Sequence, residues 1–552
     1  MRANGLYLVA VISFALVLGQ AAAPPVQAQS KLTSALTGKV SSAEEGAMEG
    51  VVVSAKKGIV TTSVVTDDKG QFSFPADRLE AGDYALSIRA NGYDLEGPKS
   101  ATLAGDKPAT LDVKLVQTKR LAAQLTNQEW ITSVPGTDDE KKFLFGCTNC
   151  HSVERIVTST HTAEEFLQVV TRMAGYSNNS FFLKPQLRAV PRDPGRLAPN
   201  VSKDAAYLAS INKSADDRKI ELKTLPRVKG EGTKVIITEY DLPRKESQPH
   251  DVIVDADGMI WYTDFGGQFL GRLNPKTLEY KEFPVPVHRA EMPKGSLDLE
   301  VDPQGNYWMA LMFQGGVAKF DKKAEKFETM QLSAEFLNSE TQQAMVGPTS
   351  WTVDNKLWLQ DPSLPGVYRV DMTSGKTEQW KPYEKLPKAP HSVYGIYPDA
   401  KNNLWFLDFG GENVGKIDAA SGEVTLFPTP TKKSRPRRGR FDNEGRLWFA
   451  EFGAEKIGVF DTKTEQFKEW SVPTKFFAPY DAVRDKEGKV WTAGMNADRV
   501  LRLDPETGKF VEYPLPRYTN VRRVFVDDTT AKPTFWIGNN HGAALIKVEP
   551  QD

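Results

Sequence analysis

The sequence predicts a mainly β protein: a seven-bladed β-propeller preceded by a small N-terminal β-sandwich and an all-α segment. Three observations carry this expectation. Trp261, Trp308, Trp358, Trp405, Trp448, Trp491 and Trp536 recur at spacings of 47, 50, 47, 43, 43 and 45 residues, and a unit of that length with four short strands is a propeller blade. Short alternating runs split by turn signals fill residues 34–117. Between these zones, residues 119–214 carry apolar side chains at three- and four-residue spacing, the helical period.

The signal comes first in chain order. Arg2 supplies a positive end, Leu6 to Leu18 is apolar or small, and Val26-Gln27-Ala28 offers small residues for cleavage. This reads as a secretory signal over residues 1–28, with an uncleaved anchor as the alternative. The expectation is a periplasmic protein with no membrane span after cleavage. Of the 552 residues 40% are hydrophobic, and 11 Trp, 28 Phe and 16 Tyr exclude general disorder. Seventy basic residues against 71 acidic ones leave a net charge of −1, so no overall field draws the chain to nucleic acid or an anionic membrane. Two cysteines exclude a disulfide framework and leave one local site to explain.

The first folded zone runs from 34 to 117. Tyr84, Leu86 and Ile88 alternate, and Asp68-Lys69-Gly70, Glu80-Ala81-Gly82 and Asn91-Gly92 mark turns. The runs Thr37-Gly38-Lys39-Val40, Gly50-Val51-Val52-Val53, Thr66 to Phe74, Gly82-Asp83-Tyr84 and Gly92-Tyr93 resemble a carboxypeptidase regulatory-like domain. That resemblance implies a structural or adhesive sandwich without catalysis.

In the second zone, Leu121–Ile131, Asp138–Phe145, Ala163–Met173 and Lys203–Ile211 read as helices, the last capped by Ser202. Here lies the strongest local motif, Cys147-Thr148-Asn149-Cys150-His151. Two thiols three positions apart can form two thioethers to one porphyrin, with the adjacent His on the iron. The alternatives are a CxxC disulfide and half of a zinc site. The zone then resembles a small, all-α c-type cytochrome domain, with Tyr207 to Ile211 as its final helix. The resemblance implies covalent haem c, one-electron transfer and a periplasmic donor or acceptor protein. Met173 is the candidate distal ligand; a core role for Met173 and ligation by His161 are the alternatives.

A linker over 215–234 leads to the propeller at 235–550. The last repeat lacks an outer strand, and an unattached copy of one, Ile237 to Pro243, precedes the first. That copy is expected to complete the seventh blade and cover its edge. Gln248-Pro249-His250-Asp251-Val252, Trp261 to Phe265, Leu404 to Phe409 and Leu447 to Gly453 resemble the streptogramin (virginiamycin B) lyase family. In that family a His in a Glu-Pro-His blade opening, a second His one blade earlier and a carboxylate on the following Trp strand act with Mg²⁺. Here the openings are Gln248-Pro249-His250 and Ala389-Pro390-His391; the Glu is missing from both, and the two His lie three units apart. The period sets His250, His391 and Arg437 at blade openings, and Asp264, Asp408 and Glu451 three residues past their Trp. These six are the candidate centre, suited to a small polar or anionic ligand or a divalent metal. Within the basic run Lys432 to Arg440, a solvated loop is the plain reading, with Arg437 and Arg438 facing the channel as the alternative.

Overall fold

The computed structural model describes residues 33–213, 220–342, 345–361, 366–386 and 390–552. The expected signal at 1–28 lies outside them, as does part of the linker.

The N-terminal unit is a two-sheet β-sandwich. One sheet holds Ser34–Ser42, Gln71–Pro75, Tyr93–Glu96 and Val113–Gln117; the other holds Val52–Lys57, Val60–Val65, Gly82–Arg89 and Ser100–Leu103. In Gln71–Pro75, buried Phe72 and Phe74 alternate with exposed Gln71 and Ser73, so the period of two turns one face to the core. That core includes Leu36, Val40, Val53, Phe74 and Leu86. Gly70 closes the preceding turn at φ +72, where a Cβ would stand 2.6 Å from the Val40 carbonyl oxygen, which is why glycine is needed there.

Six four-stranded antiparallel sheets follow as propeller blades, spanning 249–284, 296–331, 345–380, 393–428, 436–471 and 483–514. The tryptophan period has a physical origin. Trp261, Trp308, Trp405, Trp448 and Trp491 each donate the indole N–H to the Asp six residues upstream, at 2.7 to 3.4 Å. The same Asp fastens the turn: Asp442 also accepts from the backbone N–H of Glu444 and Arg446, at 2.9 and 3.0 Å. A buried indole N–H needs such an acceptor, so the turn and the Trp strand form one unit of sequence.

The expected fold class needs two corrections. The strands expected as a separate seventh blade, Val521–Asp527, Thr534–Asn539 and Ala544–Pro550, belong to an eight-stranded sheet. Val235–Asp241 pairs with Ala544–Pro550 along its full length and, by its other edge, with sandwich strand Val60–Val65, which continues into Val52–Lys57, Gly82–Arg89 and Ser100–Leu103. Val235–Asp241 thus joins the last set as expected, but that set runs on into the sandwich sheet, and a closed ring of seven separate four-stranded blades is not what the chain shows. The reason is that the outer strand of the last set has a free edge, and the sandwich offers a matching one.

The second correction concerns the all-α cytochrome domain. The helical zone holds five α-helices: α1 (Asn127–Ser133), α2 (Asp138–Cys147), α3 (Glu154–Val157), α4 (Ala163–Ala174) and α5 (Val201–Ser210). Capping boxes Thr126/Glu129, Thr137/Glu140 and Thr162/Glu165 start α1, α2 and α4. The first of them cuts the expected Leu121–Ile131 helix in two, and Asn200 rather than Ser202 caps α5. These helices do not close a core of their own. Leu144, Phe145, Val153, Phe166 and Leu208 share one cluster with Phe452, Phe476, Tyr480 and Met495 of the propeller. Phe145 meets the Phe452 and Phe476 rings edge-on at 5.5 and 6.4 Å. Local periodicity predicts helices correctly but cannot say that their apolar face is completed by another unit. No helix among the described residues is long and apolar enough to cross a membrane.

The strand Val235–Asp241 should be an anchor. Ile237, fully buried within it, is the test: Ile237→Ala should lower the unfolding free energy by about 2–5 kcal/mol, read from urea midpoints. An unchanged midpoint contradicts the anchoring role.

Candidate functional site

The CTNCH segment leaves the C-terminus of α2 as a tight turn, with Thr148 Oγ1 donating to the Phe145 carbonyl at 3.0 Å. Cys147 and Cys150 are free thiols. Burial pushes them up to about 12 and about 11, which suppresses the thiolate needed for disulfide exchange. His151 Nδ1 lies 3.0 Å from the Ser152 carbonyl oxygen. In that geometry Nδ1–H donates and Nε2 keeps its lone pair, the form a metal-ligating imidazole takes. Beside His151 is a cavity of about 650 Å³, walled also by Asn91 of the sandwich, Arg155 and Phe182 of the helical zone, and Tyr518 and His541 of the propeller.

The turn is docked onto the propeller by backbone recognition. Asn520 Nδ2 donates to the Thr148 carbonyl at 3.1 Å, and Arg522 Nη2 to the Asn149 carbonyl at 3.0 Å. His541 Nε2 lies 3.0 Å from that same oxygen, with its ring stacked on Phe181. Met173 is half-buried on α4 and does not wall the cavity. His161 is exposed, set edge-on to Phe166.

Beneath the turn, the structure gathers some of the predicted centre and disperses the rest. Tyr394 and Tyr480 hydroxyls are 2.6 Å apart, Tyr480 is 3.2 Å from His250 Nε2, and His250 Nδ1 is 2.6 Å from Asp251. Burial lowers His250 to about 4, against the pull of Asp251, so the imidazole is neutral at pH 7 and relays hydrogen bonds. Below it, Arg438 pairs with Asp251 at 3.0 Å and Asp298 at 2.6 Å. Arg523 reaches the same two carboxylates at 3.2 and 3.1 Å and Glu300 at 3.0 Å. Burial raises Asp251, but Arg438 and His250 outweigh it and hold this carboxylate low. Charges this deeply buried persist only when paired.

Arg437 joins the upper layer, its guanidinium 3.8 Å from the Tyr480 ring centroid. The remaining candidates stay with their own blades. His391 pairs with Asp408 at 2.7 Å and stacks on Tyr383; no hydrogen bond or ring contact among the described residues links it to His250. Asp408 also accepts from Gly411 N and Asn413 Nδ2, both at 2.9 Å. Asp264 holds Arg244 at 2.6 Å and accepts from Gly266 N at 3.1 Å. Both Asp therefore fasten loops. Glu451 is fully buried; burial and the neighbouring Glu469 raise it to about 9. The residues missed from sequence, Asp251, Arg522 and Arg523, had a signal: each sits at or beside the blade-opening position of its repeat, one step from His250 or the equivalent place in the last set.

Residues 335–503 match the virginiamycin B lyase family, and residues 35–116 match the carboxypeptidase regulatory-like domain. Among solved structures, a virginiamycin B lyase from Staphylococcus aureus is 21% identical over 57% of this chain and 99% of its own, with a TM-score of 0.48. A streptogramin B lyase is 21% identical over 58% of this chain and 99% of its own, at 0.49. A Cps50 (Swd1) propeller domain from Myceliophteria thermophila is 11% identical over 56% and 97%, at 0.44. No curated protein matches the chain. The family matches support a carboxypeptidase regulatory-like sandwich followed by a virginiamycin B lyase-like β-propeller.

The raised Glu451 has a pH signature. Its folded-state affinity for a proton exceeds the unfolded one, so its contribution to stability is full below the ordinary carboxyl range near 4.5 and declines as pH rises towards about 9. Glu451→Gln should flatten stability between pH 5 and 9 relative to wild type, measured by urea unfolding across that range. A pH dependence identical to wild type contradicts the assignment.

Proposed function

We propose that this chain is an exported electron-transfer protein that carries one haem c on Cys147, Cys150 and His151, held over a propeller that receives a ligand or partner. The observation that carries the reading is the donor set. Two unpaired thiols and an imidazole with Nε2 left for ligation stand in one turn, beside a cavity of about 650 Å³. His151 lines that cavity, and the two thiols, in the same turn, lie outside its lining; this donor set is the one a covalently held porphyrin would use. A c-type haem supplies one-electron redox chemistry.

The chain's own part is positioning. Cys147 and Cys150 would hold the porphyrin edge, and Ser152 orients His151 through Nδ1. Asn520, Arg522 and His541 fix the backbone of the turn, so an attached group stands at a set place over the propeller. Met173 lies away from the cavity walls, and the reading gives it no role. Electrons would pass to or from a periplasmic donor or acceptor protein.

A second reading is favoured by the family match over 335–503: a lyase-type centre at His391 and Asp408, the ion pair inside that segment. Among the described residues no group of three His, Cys, Asp or Glu gathers as a metal cradle. Mg²⁺-dependent opening of a cyclic depsipeptide lactone, lost in His391→Ala, would establish it.

The first reading is tested by producing the full chain in a periplasm equipped for haem attachment. The expected product gains the mass of one haem and keeps a c-type difference spectrum after denaturation. Cys147→Ala with Cys150→Ala should abolish both, and His151→Ala should alter the visible spectrum of the attached haem. A wild-type product without added mass contradicts the reading.

A further inference from the structure

Two layers of buried arginine meet at the propeller mouth, and their charges are treated differently. The lower layer is compensated: Arg438, Arg523 and Arg440 all face carboxylates, Arg440 reaching Glu300 at 2.8 Å. The upper layer is not. Arg435, Arg437 and Arg522 have no carboxylate within 4.0 Å among the described residues. Arg437 and Arg522 are only 6% and 2% exposed.

What surrounds these three is neutral. Arg437 lies against Tyr480, Phe409, Phe452 and Tyr394, at 3.8, 4.6, 4.8 and 5.1 Å from the ring centroids. Its one polar contact is Nη1 to Met495 Sδ at 3.8 Å, and its Nε has no partner. Arg435 shares the Phe409 and Phe452 rings and gives Nε to the Phe409 carbonyl at 3.2 Å. Arg522 stands over the Tyr480 ring at 5.9 Å and bonds only to amide oxygens of Asn520 and Asn149. Cation–π contact steadies a guanidinium but leaves its net charge unmet, and at Arg437 Nε lacks an acceptor as well. Two buried charges, Arg437 and Arg522, with half-buried Arg435 beside them and no carboxylate on any, call for an anion.

We propose that Arg437, Arg522 and Arg435, with the Tyr394 and Tyr480 hydroxyls, form a binding site for a carboxylate group at the joint between the propeller mouth and the CTNCH turn. The aromatic walls hold the guanidinium planes in place, and a planar carboxylate matches their paired N–H donors. The carboxylate has two sources: a free small carboxylic acid, or the propionates of a haem carried by Cys147 and Cys150. The first source does not depend on the haem reading; the second does.

The test uses the full chain as isolated with its haem, and succinate as probe. Calorimetric binding of succinate to wild type, weakened about tenfold or more in both Arg437→Gln and Arg437→Lys, identifies a free ligand held by the guanidinium fork. If wild type does not bind succinate, the pH dependence of the haem midpoint potential is compared in wild type, Arg437→Gln and Arg522→Gln. A pH dependence altered in both variants identifies the propionates. Arg522 also holds the Asn149 carbonyl of the turn, so Arg435→Gln, which leaves the hydrogen bonds of the turn intact, is measured beside it and keeps the test open should Arg437→Gln fail to fold. No succinate binding together with one common pH dependence overturns the proposal. In a chain that gains no haem, absence of succinate binding alone overturns it, and the haem reading fails separately on the missing mass.

Discussion

The arrangement depends on one strand that is hydrogen-bonded along both edges. Val235–Asp241 joins the C-terminal strand Ala544–Pro550 on one side and the sandwich strand Val60–Val65 on the other. An unpaired edge in water invites other strands; here two edges from distant parts of the chain satisfy each other through a third. Ion pairs reinforce the seam. Arg78 reaches Glu549 at 3.0 Å, and Arg517 reaches Glu239 and Asp241 at 2.9 and 2.7 Å. The sandwich is thereby fixed to the propeller, and its Ile88 to Tyr93 stretch becomes a wall of the cavity beside His151.

The helical zone is fixed by a different device. Its apolar face has too little material of its own and is finished by Phe452, Phe476, Tyr480 and Met495. The same contact covers the propeller mouth, where His250 is fully buried. A hydrolytic or lyase centre opening to solvent at that point would be blocked, whereas a group attached to the covering turn would be held against the mouth. This coupling of cover and docking is what joins the CTNCH turn to the two arginine layers. The lower layer is a closed set of ion pairs; the upper one is left with charge to spare.

Much of this was legible in the sequence, for local reasons. The tryptophan period survives because each indole is tied to an Asp in its own turn. The sandwich strands alternate because one face is buried, and Thr-x-x-Glu boxes start three of the helices. What was not legible is contact between units. The sandwich edge that meets Val235–Asp241 looks like any edge, and helical periodicity names a buried face without naming what buries it. The expected centre is gathered only in part, for the same reason. His250, Asp264 and Asp408 stand on strands and His391 two residues before one, but Asp264 and Asp408 are spent on their own loops, and His391 stays with Asp408. The partners of His250 come instead from the same register in distant blades: Tyr480 beside it and Arg438 and Arg523 beneath Asp251.

We propose that the CTNCH turn presents a haem to the cavity shared by sandwich, helices and propeller. Anomalous diffraction at the iron edge, from crystals of the full chain produced with haem-attachment machinery, tests it most directly. The account predicts a single iron site at coordination distance from His151 Nε2, inside the cavity walled by Tyr518 and His541. A folded chain with no iron, or with iron bound away from His151, would contradict it.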